Sequence, residues 1–144
     1  MTEQDYVGDS TMGWKPELSV GIPEMDADHQ VLFQRIEAVV QVIDAKQPRA
    51  EVDRVFGELM TSMIGHFARE EQLLLKRGYE YADGHALQHA HILEELGEIK
   101  ATFLYDADQD ALEEVREFLS GWLASHIIDH DFGYRDHFAR LPPA

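Results

Sequence analysis

Four stretches of the chain repeat apolar residues with the 3.6-residue period of a helix buried on one side. In the first, over about residues 23–44, Met25, His29, Leu32, Phe33, Ile36, Val39, Val40 and Ile43 recur at i, i+3, i+4 and i+7. Pro23 suits a first helical turn, Glu24 and Asp26 favour the positive end of the helix dipole, and Lys46-Gln47-Pro48 ends the pattern. The second, about 50–77, carries Val52, Val55, Phe56, Leu59, Met60, Met63, Phe67 and Leu74, with Gly78 as a C-terminal cap. The third, about 83–105, carries His85, His89, Ile92, Leu93, Leu96, Ile99 and Phe103, with Asp83 as its N-cap. The fourth begins near Asp108 or Asp110 and places Leu112, Val115, Phe118, Leu119, Trp122, His126 and Ile127 on one face. Tyr134 to Ala144 reads as a short tail, and residues 1–22 as an irregular N-terminal arm with Trp14, Leu18, Val20 and Ile22 as apolar anchors. No segment alternates with a period of two. The pattern predicts an all-α fold: an antiparallel up-down-up-down four-helix bundle over 23–144, preceded by the arm.

Composition narrows the function. A chain of 144 residues is one domain's worth, and 44% hydrophobic residues can build a core without staples. No apolar run is long enough to span a bilayer, and the N-terminus has no secretory pattern, which points to the cytoplasm. With 28 acidic against 12 basic residues the formal charge is −16, so a phosphate backbone or an anionic membrane surface would be repelled. The chain has no cysteine, which excludes disulfides, thiolate metal sites and a cysteine nucleophile.

The eight histidines change the picture. Each helix places a histidine or carboxylate inside its apolar stripe: His29 on the first, His66 and Glu70 on the second, His85 and His89 on the third, His126 on the fourth. Residues i and i+4 lie about 40° apart around a helix, so HxxxE at 66–70 and HxxxH at 85–89 each aim two donors into one space. In an antiparallel bundle His66 and Glu70 late in one helix sit level with His85 and His89 early in the next. His29 and His126 fall at the same end. One such pair is a weak signal; two at matching height, with two further inward histidines, point to a metal, because unpartnered buried polar groups cost several kcal/mol. Five imidazoles exceed a tetrahedral zinc site and are too rich in nitrogen for calcium or magnesium. Two closely spaced transition ions bridged by carboxylate fit, with iron favoured and manganese, zinc or copper as competitors. Glu71 lies about 100° round from Glu70 and reads as solvated, Met60, Met63 and Trp122 as core. His91, His130 and His137 read as surface residues or as supports to the ligands.

These residues resemble the hemerythrins, specifically the bacterial ones. The likeness runs from about Trp14 to Phe138 and includes Val20-Gly21-Ile22-Pro23-Glu24-Met25-Asp26-Ala27-Asp28-His29, His66-Phe67-Ala68-Arg69-Glu70-Glu71, Gly78-Tyr79, His85, His89, Trp122 to Ile127, and Asp131. It implies a non-haem di-iron centre that binds O2 reversibly, for storage, delivery or sensing, without catalytic turnover. By that resemblance His85, His89 and His126 hold one iron, and His29 and His66 the other, which keeps an open position. Glu70 and Asp131 bridge the two together with an oxo or hydroxo group. Leu123 and Ile127 match the wall of the O2 pocket. The alternatives on this scaffold are a di-iron redox enzyme (peroxidase, oxidase or nitric-oxide reductase) and an iron buffer. O2 is then the expected ligand, with no nucleic-acid or membrane partner and no protein partner that the sequence identifies.

Periodicity alone would choose Asp129 or His130 over Asp131, since a step of five turns about 140° around an α-helix. The resemblance selects Asp131, which requires a π-turn or a break after His126. Two positions depart from the family pattern. Asp28 stands where glutamine is usual, adding a negative charge beside a ligand, and Glu80 stands where proline is usual.

Overall fold

The structure, a computed structural model, describes residues 13–105 and 109–140. It is helical, with no strand among the described residues. Helix α1 spans Pro23–Asp44, α2 Arg49–Lys76, α3 Ala82–Tyr105 and α4 Gln109–His126. A π-helical turn, Ile127–Asp131, leads into a short α5, Phe132–Ala139. α1 packs on α2 and α4, α2 on α3, and α3 on α4, which closes an antiparallel four-helix bundle. No helix among the described residues is long and apolar enough to cross a membrane.

The apolar stripes became the core. All eight stripe positions of α1 are buried. On α2 the predicted set is buried except Met60, which is half-buried. α3 buries His85, His89, Ile92 and Leu96, with Leu93 and Ile99 packed at the edge; the side chain of Phe103 lies outside the described residues. α4 buries Val115, Leu119 and Leu123, while Leu112, Phe118 and Trp122 are half-buried against them. Ahead of α1, Leu18, Val20 and Ile22 enter the same core. Asp26 ties them down: its carboxylate accepts hydrogen bonds from the Val20 N–H at 2.9 Å and from the Ser19 hydroxyl.

Two features position the functional end. One is the π-turn expected after His126, present over Ile127–Asp131. Its extra residue carries Asp131 round to the face that His126 occupies. The other is helix α5, where the sequence suggested a tail. The π-turn shifts the phase of the apolar pattern, so Tyr134 continues the buried face three residues after Asp131 and is fully buried.

α1 and α2 both stop by the same device. At the end of α2, Tyr79 N–H bonds to Leu74 C=O at 2.9 Å and Gly78 N–H to Leu75 C=O at 3.1 Å. At the end of α1, Gln47 N–H bonds to Val42 C=O and Lys46 N–H to Ile43 C=O, each at 3.0 Å. This double closure needs a left-handed residue; Gly78 has φ 70° and Lys46 has φ 55°. Glycine adopts that backbone freely and lysine does not. Lys46→Gly is therefore expected to stabilise the fold by about 1 kcal/mol and Gly78→Ala to destabilise it by about 1 kcal/mol. Urea unfolding of the two variants checks the opposite signs.

Candidate metal centre

Among the described residues, seven polar or charged side chains are buried: His29, His66, Glu70, His85, His89, His126 and Asp131. They form one cluster with two sets of ligand atoms. His85, His89, His126 and Asp131 offer atoms within 4.8 Å of one another, and so do His29, His66 and Glu70.

The two carboxylates join the sets. Oε1 of Glu70 lies 2.7 Å from His85 Nε2 and 3.0 Å from His89 Nε2. Its Oε2 lies 3.3 Å from His66 Nε2 and 3.7 Å from His29 Nε2. Asp131 repeats the division: Oδ2 is 3.2 Å from His29 Nε2, while Oδ1 is 3.0 Å from His85 Nε2 and 3.6 Å from His126 Nε2. Each carboxylate thus turns one oxygen to each histidine set. Many of these contacts are close without being aligned as hydrogen bonds. His29 Nε2, His89 Nε2, His126 Nε2 and both Asp131 oxygens are buried with no hydrogen-bond partner. Unsatisfied buried acceptors and imidazole nitrogens that converge on one spot are costly unless a cation lies between them. The donor set therefore fits a metal centre.

Neighbours hold the inner residues in place. His66 Nδ1 lies 2.9 Å from Asp28 Oδ2, and His89 Nδ1 lies 2.8 Å from Glu71 Oε2. Carboxylates on the outer nitrogen fix the tautomer that leaves Nε2 free as a donor. Glu71, expected to be solvated, is half-buried on this bond instead, because the long side chain reaches back across the seam to α3. The Asp28 charge does not stand alone either, since Arg69 Nε donates to the same oxygen at 2.8 Å. Phe67 stacks on the His89 ring at 3.8 Å, and Trp122 on the His126 ring at 5.5 Å. Tyr134 donates its hydroxyl to Glu70 Oε2 at 2.8 Å. The sequence pattern gave no weight to Tyr134; its spacing of three from Asp131 was the available signal. Leu123 and Ile127 are buried, His91 is exposed, and His130 and His137 are half-buried.

The electrostatics follow from this geometry. Burial pushes the Glu70 carboxyl up, but the four imidazoles around it outweigh burial and hold its pKa well below the ordinary value. Burial and the Glu70 charge raise Asp131, and His29 and His85 bring it below the usual range. For His29, burial acts downward, yet the Asp131 and Glu70 carboxylates lift the imidazole to about 9; His85 reaches about 9 for the same reasons. Burial takes His126 down to about 4. Burial also raises Asp28, but Arg69 and His66 bring it below its ordinary value.

A metal and a proton compete for the same imidazole lone pair. At pH 7 the metal-free fold carries protons on His29 and His85, whose pKa values stand near 9. Metal uptake at pH 7 should therefore release about two protons from these residues, and this release should fall away as pH rises through 9. Calorimetry of metal uptake in buffers of different ionisation enthalpy measures it.

A family model described as the hemerythrin HHE cation binding domain matches residues 20–135, a span that contains both histidine sets and both carboxylates. Bacteriohemerythrin of Stenotrophomonas maltophilia is 30% identical over 123 residues, covering 85% of this chain and 78% of that protein. Bacteriohemerythrin of Pseudomonas aeruginosa is 31% identical over 125 residues with the same coverage. Bacteriohemerythrin of Clostridium acetobutylicum is 27% identical over 127 residues, covering 85% of this chain and 98% of that protein. The relatives match most of the chain, and the family model runs through the whole buried histidine–carboxylate cluster: the chain belongs to the hemerythrin family.

Proposed function

We propose that the cluster holds two iron ions and that the protein binds O2 reversibly. The observation that carries this reading is the division of each carboxylate between the two histidine sets. In it His85, His89 and His126 hold one ion and His29 and His66 the other, with Glu70 and Asp131 spanning both. The ions, when bound, supply the electrons and the coordination position that O2 requires. The set with two histidines is the one left with room for a ligand.

The chain's own residues account for binding without turnover. Five neutral imidazoles against two carboxylates leave little negative charge to stabilise high oxidation states. Tyr134 holds Glu70 Oε2 at a fixed angle, and Phe67 and Trp122 fix two imidazole planes. Leu123 and Ile127, both buried and flanking His126 in the chain, would serve as the pocket wall that keeps bulk water and its protons from the site.

Loading the protein anaerobically with Fe(II) tests the reading. Two irons per chain are expected, with a visible absorption band that develops in air and fades on degassing over repeated cycles. Irons that oxidise once, with no recoverable ferrous form, would move the assignment to a redox enzyme or an iron buffer. Ile127→Ala should open the apolar wall and speed irreversible oxidation in air severalfold, read as loss of recoverable Fe(II) with time, with two irons still bound.

A further inference from the structure

Arg69 sits on α2 beside Glu70 but points outward, with its side chain 58% exposed. An exposed arginine ordinarily samples many rotamers, and holding it in one costs entropy. Here it is held. Its Nε donates to Asp28 Oδ2 at 2.8 Å, and the same oxygen lies 2.9 Å from His66 Nδ1. Arg69 and His66 are three residues apart on α2, and Asp28 faces them from α1, so the three groups span the seam between the helices.

Gly65 makes the arrangement fit. A Cβ at that position would lie 3.2 Å from Arg69 Nη1 and 3.8 Å from its Cζ. The guanidinium therefore folds back over the bare helix surface one turn earlier, which brings Nε to Asp28. A side chain at 65 would compete for that space.

The two-histidine set depends on this contact more than the three-histidine set does. His29 Nδ1 is buried without a hydrogen-bond partner, so among the described residues the outer hydrogen bond of that set is the one from His66 to Asp28. Arg69 keeps the Asp28 carboxylate from rotating away. It also makes the outer pair neutral, so His66 gains an oriented acceptor without a net negative charge near the ion.

We propose that Arg69 is a positioning residue for the His29/His66 metal set, acting through Asp28 on the orientation and tautomer of His66. The inference rests on His66 being a ligand, as in the function proposed above. It concerns metal binding and is independent of oxygen chemistry.

Zinc titration against a chromophoric chelator, with NMR of the histidine ring N–H signals, tests it. The variants are Arg69→Met, Asp28→Asn and the pair together, each first checked for unchanged helicity and thermal midpoint. Arg69→Met is expected to weaken the zinc ion that shifts the His66 ring by about tenfold, at the low end of what losing a ligand's outer partner does. The other zinc ion should bind as before, and the His66 Nδ1–H signal should broaden by exchange while that of His89 stays sharp. In the Asp28→Asn background, Arg69→Met should add nothing, because its route to His66 is already cut. Equal zinc affinities and an unchanged His66 signal in Arg69→Met would overturn the proposal. So would a loss that persists in the Asp28→Asn background. A chain that takes up no zinc, or zinc that leaves the His66 ring unshifted, would overturn the assignment of His66 as a ligand, a separate failure.

Discussion

Glu70 and Asp131 are fully buried in the interior of a helical bundle, and much of the remaining organisation compensates for those two charges. A carboxylate removed from water must be paired or bound to a cation. Five imidazoles surround these two, and one phenol donates to Glu70. The compensation stays incomplete in directional terms, since both Asp131 oxygens lack an aligned donor. Metal-free, the fold balances charge by keeping protons on His29 and His85. In the metal centre proposed above, a cation would take the place of those protons, with the imidazole nitrogens as its ligands. Folding and metal binding are thereby linked through the same atoms.

Local structure serves that constraint at several points. The π-turn Ile127–Asp131 brings Asp131 into phase with His126, which an α-helix would not do. The Gly78 closure ends α2 shortly after Glu70 and lets α3 begin with His85 level with it. Asp28 and Glu71 work from outside on one histidine of each set. The sets are unequal in their protein donors, three imidazoles against two. In the proposed centre that inequality would leave the two-histidine set with the free coordination position, and the Arg69–Asp28 pair lies on that set through His66.

Much of the bundle was legible from periodicity, because the buried stripes of α1 and α2 follow the helical period with few exceptions. The convergence of His29, His66, Glu70, His85, His89 and His126 was legible too, since stripe position and height in an antiparallel bundle fix both coordinates. Asp131 was not: its phase depends on a change of helix type that periodicity assumes away. Tyr134 was lost for the same reason, as its face is counted from Asp131 rather than from His126. The outer bonds of Asp28, Glu71 and Arg69 cross between helices through long side chains. Such contacts depend on rotamers and inter-helix distance, which a one-dimensional pattern does not contain.

In the proposed centre both carboxylates span two metal ions. Diffraction from crystals of the iron-loaded protein, with anomalous data collected at the iron absorption edge, tests it most directly. Two anomalous peaks about 3.5 Å apart are expected. Each should have one oxygen of Glu70 and one oxygen of Asp131 at coordination distance, with His85, His89 and His126 on one peak and His29 and His66 on the other. A single peak, or two peaks of which either carboxylate touches only one, would contradict it.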